Sequence, residues 1–327
     1  MSRKFYITLT ITVLALSGIS VYGLIGSRRV AASTSVSATS AVQTLPSLYL
    51  YTLTTDNVIN VVIPGTTVYF GLGRVSRAYG SLIGIDFRPA DPVRTNLYAL
   101  TDQGRVIVID LNNISATPRL LGTLSPNFAG GFQSLFDFNP VVDAIRIIGS
   151  NRQNYAVVSA NGGLLNTTAV QTAVAYAAGD VNAAQTPYLC GGAYTNNVAG
   201  AATTIFYAFD YNTDQFVTVP IGANGSSATG GGQLQTIGSV INQFGNRVRF
   251  NPVADFDITT DAYGRNLLIG VTASNSMVII DLSQINPSLP IGRTQTVVAR
   301  TTDLLTLAGD MPIDFAIQLR PATVASR

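Results

Sequence analysis

Residues 312–319 read Pro-Ile-Asp-Phe-Ala-Ile-Gln-Leu, an extended apolar run carrying one acid, and only eight residues follow it. It looks like the first strand of a unit whose remaining strands are missing. Its core, Ile313-Asp314-Phe315, is the last copy of a motif made of an apolar residue, Asp, then Phe or Ile. The same motif occurs as Ile85-Asp86-Phe87, Phe136-Asp137-Phe138 and Phe256-Asp257-Ile258. A degenerate copy, Ala193-Tyr194-Thr195, sits between the second and third of these. From Asp86 onward the central residues are 51, 57, 63 and 57 positions apart. Self-similarity at such a spacing signals a propeller or another repeat architecture.

Each unit contains several short strands. After Asp86 come Leu97–Leu100, Val106–Ile109 and Leu120–Leu124, with a turn at Asp102-Gln103-Gly104. Four strands in about 40 residues is the size of one propeller blade. The second unit offers Ala144–Ile148 and Tyr155–Val158, and the less regular third offers Ile205–Phe209 and Phe216–Val219. The fourth repeats the pattern with Leu267–Gly270, Met277–Asp281 and Thr296–Val298. The strands missing after Leu319 lie at the other end of the chain, at Leu48–Leu53, Val58–Ile63 and Thr67–Leu72. Residues 315–327 joined to 47–85 make one further unit of normal length. An open ring leaves sheet edges unprotected, so one blade shared by the two termini would close it. The reading is an all-β chain, a five-bladed β-propeller of about four strands per blade, over residues 47–321. A β-sandwich is the rival, but it leaves the completed period unexplained.

Composition supports the all-β class and removes most enzyme chemistry. The chain is 47% hydrophobic and 11% charged, with 30 Gly and 14 Pro. Val, Ile, Thr and Tyr suit half-buried pleated surfaces, while the surface helix formers Glu and Lys are nearly absent. All 17 acids are Asp, Lys4 is the only Lys, and there is no His or Trp. Imidazole-dependent triads, His-ligated zinc and, beyond Lys4, lysine chemistry are therefore excluded. Cys190 is the only Cys, so no intrachain disulfide exists, and a buried apolar role is expected for it.

The first 32 residues read as an export leader. Arg3-Lys4 precede the uncharged run from Phe5 to Gly26, and Val30 and Ala32 provide a small-residue cleavage site. The run is also long enough to span a bilayer, so a retained anchor is the alternative. Either outcome places the body outside the cell. Cleavage after Ala32 removes four bases and shifts the formal charge from +2 to −2. Residues 33–46 are a Ser/Thr/Ala-rich stretch with two readings, a linker or a strand donated to a neighbour's sheet edge. Residues 322–327 form a tail.

Several segments resemble one bacterial family, the domain of unknown function 4394. They are Gly84–Ala90, Leu97–Leu100, Phe136–Val141 and Ala193–Asn197, in the family's order. The resemblance implies a secreted, propeller-like protein and carries no activity or catalytic residue with it. The chain departs from the family's charged turns at Asp110-Leu111-Asn112-Asn113 and Asp281-Leu282-Ser283-Gln284.

First strands of propeller blades line the central channel, so Asp86, Asp137, Asp257 and Asp314 are expected there as a ring. Four converging carboxylates would repel unless a hard cation such as Ca²⁺ sat between them. The alternative is that each one hydrogen-bonds backbone in its own blade. No other cofactor is expected. Asp110, Asp210 and Asp281 end apolar strands and read as turn formers. Thr229–Gln233 is Gly-rich without the Lys or the strand-loop-helix context of a phosphate cradle. Arg247 with Arg249, and Arg74 with Arg77, make no basic patch, so nucleic acid is not an expected partner.

Three functions remain. The first is a secreted or cell-surface structural and interaction module, self-assembling through residues 33–46. Its partners would be itself or other surface components, with membrane contact only through an uncleaved leader. The second is a binding module for glycan or protein. The third is an Asp- and Tyr-dependent glycan hydrolase or lyase, since paired carboxylates can do acid-base work without His or Glu.

Overall fold

In the computed structural model, the clasp anticipated from the chain ends is formed by backbone pairing. The structure describes residues 48–319 except 65–68, 132, 161–163, 228–231, 254, 262, 275 and 304–311. The leader, residues 33–46, the tail and most of the Gly-rich run therefore lie outside the described residues.

The described residues begin with three strands: β1 (Leu48–Thr54), β2 (Val58–Val62) and β3 (Tyr69–Arg74). The first complete blade follows as β4 (Leu82–Asp86), β5 (Asn96–Thr101), β6 (Arg105–Asp110) and β7 (Arg119–Thr123). The second is β8 (Ser134–Asn139), β9 (Ala144–Gly149), β10 (Asn154–Ala160) and β11 (Leu164–Val170). The third contains β12 (Ala175–Tyr176), β13 (Leu189–Tyr194), β14 (Phe206–Asp210), β15 (Gln215–Thr218) and β16 (Gln233–Gly238). The fourth contains β17 (Val240–Asn242), β18 (Asp257–Thr260), β19 (Asn266–Val271), β20 (Ser276–Asp281) and β21 (Val297–Asp303). The last strand, β22 (Pro312–Leu319), pairs antiparallel with β1, giving the clasp blade the order β22-β1-β2-β3.

The chain is thus a five-bladed β-propeller closed by strands from both ends. Inner strands β22, β4, β8, β13 and β18 meet one another in ring order. Two blades carry an addition that the strand pattern does not reveal. β12 pairs parallel to the outer edge of β16, and β17 pairs parallel to the outer edge of β21.

Five apolar clusters sit between successive blades, so each sheet is buried on both faces. Leu53, Ile59, Ile85 and Ile109 join the clasp to the first blade, and Leu100, Val106, Phe138 and Ile147 join the first to the second. Leu135, Tyr194 and Phe206 continue the ring, followed by Phe209, Phe250, Ile258 and Val278. Leu50, Ile269, Phe315 and Ile317 then join the fourth blade back to the clasp. Burial on both faces explains why strands such as Val106-Ile107-Val108-Ile109 are continuously apolar instead of alternating.

Candidate functional site

The inner strands bring their acids to the channel, and backbone hydrogen bonds fix the level of each. Asp86 accepts from Phe87 N at 2.6 Å and from Phe138 N of the next blade at 2.9 Å. Asp137 accepts from Tyr194 N of the third blade at 2.5 Å. Asp257 accepts from Ile258 N at 2.5 Å and from Ile317 N of the clasp at 2.6 Å. In each case the donor in the next blade follows the structurally equivalent residue, so equivalent positions are 86, 137, 193, 257 and 316. Three of the five are Asp and two, Ala193 and Ala316, are not.

Asp314 lies elsewhere. It accepts from Phe315 N at 2.7 Å and from Ile85 N, the residue after Gly84. That places it two residues further along the channel than the other three. Asp86, Asp137 and Asp257 form a cluster with one carboxylate oxygen from each lying within 4.8 Å of the others. The motif count aligns Asp314 with Asp257 and gives Tyr194 the third place, whereas the bonding aligns Ala316 and Ala193. The expected ring of four is therefore a cluster of three with Asp314 at a second level.

Sequence reasoning missed Asp255, which joins that second level. It accepts from Gly192 N at 2.8 Å, Phe256 N at 2.7 Å and Phe136 N at 3.4 Å. A signal was present, because Asp255 and Asp257 are two apart and share a face of an extended chain. Space here is tight. A Cβ on Gly84 would come within 2.6 Å of Phe136 Cβ, and one on Gly191 within 3.0 Å of Asp255 Oδ1.

All five carboxyls are nearly inaccessible, between 1% and 4% exposed. Burial is the main cause that raises every one of their pKa values. Asp86 is held at about 6, because hydrogen bonds from Asp137, Phe138 N and Phe87 N partly offset the burial. Asp137 is pushed well up by burial and then by the charges of Asp86 and Asp257, and its hydrogen bond to Asp86 raises it further. Asp257, Asp255 and Asp314 are also well above the ordinary carboxylate range. Oxygens that already accept backbone N–H groups leave few lone pairs for an ion that takes 6–8 oxygens. The expected result is that calcium titration leaves the melting temperature unchanged and releases no binding heat. A rise of several degrees would restore the channel as a cation site.

The second feature is a cavity of about 420 Å³ where the inner strands end. Its walls include Phe87–Pro89, Asp91–Arg94, Asn197–Ala199, Thr259-Thr260 and Ile317-Gln318. Polar bonds between blades hold this mouth. Arg88 Nε donates to Asp143 Oδ1 of the second blade at 2.8 Å, and its Nη2 pairs with Asp143 Oδ2. Gln318 Nε2 donates to the Arg94 carbonyl at 2.8 Å, joining clasp to first blade. Asn196 N donates to Asn266 Oδ1 at 2.7 Å, Asn266 Nδ2 returns a bond to Asn196 Oδ1 at 3.0 Å, and Asn197 N donates to Thr260 Oγ1 at 3.0 Å. Those bonds tie the third blade's loop to the fourth blade. Asp91 accepts from Asn96 Nδ2, Tyr98 OH and Val93 N. Burial raises its pKa, but these bonds outweigh burial and hold it below the ordinary value.

The model of the family described as "Domain of unknown function (DUF4394)" matches residues 73–303. The chain belongs to that family. The match runs from the end of β3 to the end of β21, so the DUF4394 region holds the four sequence-contiguous blades, and β22 and β1 lie beyond it. No curated protein matches the chain. Among solved structures, a dihydro-heme d1 dehydrogenase NirN in complex with DHE is 12% identical at a TM-score of 0.34. It covers 73% of this chain and 42% of its own. A structural genomics protein of unknown function from Bacteroides thetaiotaomicron VPI-5482 is 10% identical at 0.40, covering 73% and 56%. This chain therefore spans about half the length of either protein, and no activity passes from them to it.

Other charged groups of this DUF4394 member, and its thiol, serve local structure. Asp110 and Asp281 cap short 3-10 turns, accepting from Asn112 N and Ser283 N at 2.9 and 3.0 Å. Asp210 accepts from Tyr188 N at 2.8 Å and Tyr176 OH at 2.6 Å. Arg247 and Arg249 both pair with Asp214, and Arg74 and Arg77 both pair with Asp56. Cys190 is buried, with burial pushing its thiol well up, so it holds little thiolate.

Proposed function

We propose that the chain is an extracellular interaction module that binds a ligand at the mouth held by Arg88–Asp143, Gln318–Arg94 and Asn196–Asn266. The observation that carries this reading is a preorganised cavity on loops of a rigid scaffold, the arrangement by which propellers and other scaffolds present binding residues. Its volume suits a small ligand or the end of a larger one. The leader supports placement outside the cell. Binding is favoured over hydrolysis because Asp91 is the one carboxylate among the described wall residues, and glycoside hydrolysis needs two. The channel acids are too deeply buried to supply the second.

The test is a glycan array and a peptide array probed with the full chain and with Ala199→Trp, which fills the mouth. Ala199 is exposed, so the variant should melt like the parent. The expected result is a hit that the variant loses. Binding indifferent to Ala199→Trp, or no hit on either array, would overturn the reading.

Self-assembly is a second reading, favoured by β12 and β17. The chain already closes two blade edges by adding an extended segment in parallel, so a segment from another copy has a physical precedent. Deleting residues 33–45 should abolish any assemblies seen by electron microscopy. Unchanged assemblies would end this version.

A further inference from the structure

Two blades have their outer edges closed, and the way they are closed shows what a third lacks. On β16, Ala175 N donates to the Gly232 carbonyl at 2.9 Å and Ala177 N to that of Leu234 at 2.8 Å. Further along, Thr236 N donates to Asp180 Oδ2 at 2.8 Å, and the Ile237 carbonyl accepts from Gln295 N at 2.8 Å. On β21, Val297 N donates to the Ser239 carbonyl at 2.9 Å beside β17. There Thr301 N donates to Gln243 Oε1 at 2.9 Å, and Gln243 Nε2 donates to the Thr301 carbonyl at 3.0 Å. Both covers come from the runs that enter those blades, 171–188 and 239–256. The run entering the first blade is only 75–81. It extends at most about 23 Å, and recrossing the blade from β7 to β4 takes about 14 Å of that. Too little remains to reach β7 and pair with it. β7 and β16 carry the same bulge, so Leu120 opposite Ile107 takes the place of Thr236 opposite Val217. Among the described residues, no backbone bond from outside its own sheet reaches β7, and Leu120 is 38% exposed. β3 has the same bulge, but Gly71 stands at that place and offers a partner no side chain. In β11 the bulge falls elsewhere, near the end of β10.

We propose that residues 33–46 of one copy add as a parallel strand to the outer edge of β7 in a second copy. The inference rests on the self-assembly reading and adds the acceptor, with Leu120 at its centre. Residues 33–46 lie outside the described part of the chain and end beside β1, which begins at Leu48. Extended at about 3.3 Å per residue they span about 45 Å, enough to leave their own propeller and lie along a neighbour's strand. Their residues suit the task. Like β12 and β17 they are uncharged; Thr34, Val36, Thr39 and Val42 are β-branched, and no Gly or Pro interrupts 33–45. Main-chain bonds to the open edge would hold the segment, and the Leu120 side chain would give it an apolar contact. The parallel direction follows both covers within the chain. It also favours a second copy over the same one. β1 and β7 both run away from the mouth, so a segment laid parallel on its own β7 would have to return before entering β1. On a second copy no return is needed.

The experiment uses the full chain and reads assembly by light scattering and electron microscopy, with melting curves to check folding. The parent is expected to assemble. Leu120→Pro removes the edge donor at a position where an edge strand tolerates Pro, and it should lower the assembled fraction at least about tenfold. Leu120→Lys sets a charge on the edge without changing the backbone and should do the same. Phe70→Lys on β3 and Val170→Lys on β11, both at exposed positions, should leave assembly within about twofold of the parent. Assemblies lost on deleting residues 33–45 but kept in both Leu120 variants would overturn β7 as the acceptor and leave the self-assembly reading standing. Equal losses in the Phe70 or Val170 variant would likewise overturn β7 as the specific edge. Assemblies that survive the deletion, or a parent that stays monomeric, would overturn the reading and this inference together.

Discussion

Asp137→Asn is expected to raise the unfolding temperature at pH 8 and to leave it nearly unchanged at pH 4. In the parent, Asp137 hydrogen-bonds Asp86 and accepts from Tyr194 N. An Asn reproduces both bonds, with its amide N–H replacing the shared proton, and it never ionises. The sign follows from proton binding. Burial raises the native pKa of every channel carboxyl, to about 6 for Asp86 and well above the ordinary value for Asp137, Asp255, Asp257 and Asp314, whereas the unfolded chain titrates near 3.8. The native state therefore holds more protons across this window, and stability falls as pH rises from about 4 through the native values. Below pH 4 both states are protonated and nothing is lost. The ion pairs among the described residues all involve other carboxylates, so no base offsets the effect within the cluster. The gain from the Asn at pH 8 should be about 2 kcal/mol, or roughly 5 °C for a domain of this size. Asp137→Ala should cost roughly 3 kcal/mol at either pH, because Tyr194 N and Asp86 both lose a partner. Calorimetric scans from pH 4 to 8 check all three. A parent whose stability climbs over that range would sink the account.

The largest loss is expected from removing residues 312–327. That deletion takes away β22, the partner of β1 over its whole length, and the buried side chains Phe315 and Ile317. It also takes the N–H that Asp257 accepts and the carboxylate that accepts from Ile85 N. Burying the two large side chains alone contributes about 1.5–3 kcal/mol each. Exposed inner edges on both neighbouring blades add to the cost, against a usual total stability of about 5–15 kcal/mol. The truncated chain should show no cooperative thermal transition and should aggregate. Phe315→Ala, a milder cut in the same strand, should fold with a loss of about 3–5 kcal/mol. A truncated chain that melts like the parent would show that the ring closes without its clasp.

Much of the architecture is legible in the residues. The repeat, the strands within it and the incomplete last unit follow from local apolar runs and turn residues, and β22 runs over the 312–319 segment read as a strand. The third blade is harder to read because its inner strand carries Ala193 where three other blades carry Asp, and because Thr195–Ile205 lengthens its first loop. The parallel additions β12 and β17 were not legible. A two- or three-residue strand has no pattern of its own, and its existence depends on the edge it meets.

The sequence alone determined the number of blades, the closure by both ends and the exclusion of imidazole chemistry, because these depend on spacing and residue types along one chain. Tertiary structure decided which acids meet. Whether Asp314 shares a level with Asp257 depends on the stagger between strands of different blades, and a one-step shift there changes which groups touch without changing the period. The mouth follows the same logic: Arg88 and Asp143, or Asn196 and Asn266, are 55 and 70 positions apart, and only the packing of one blade on the next makes them neighbours.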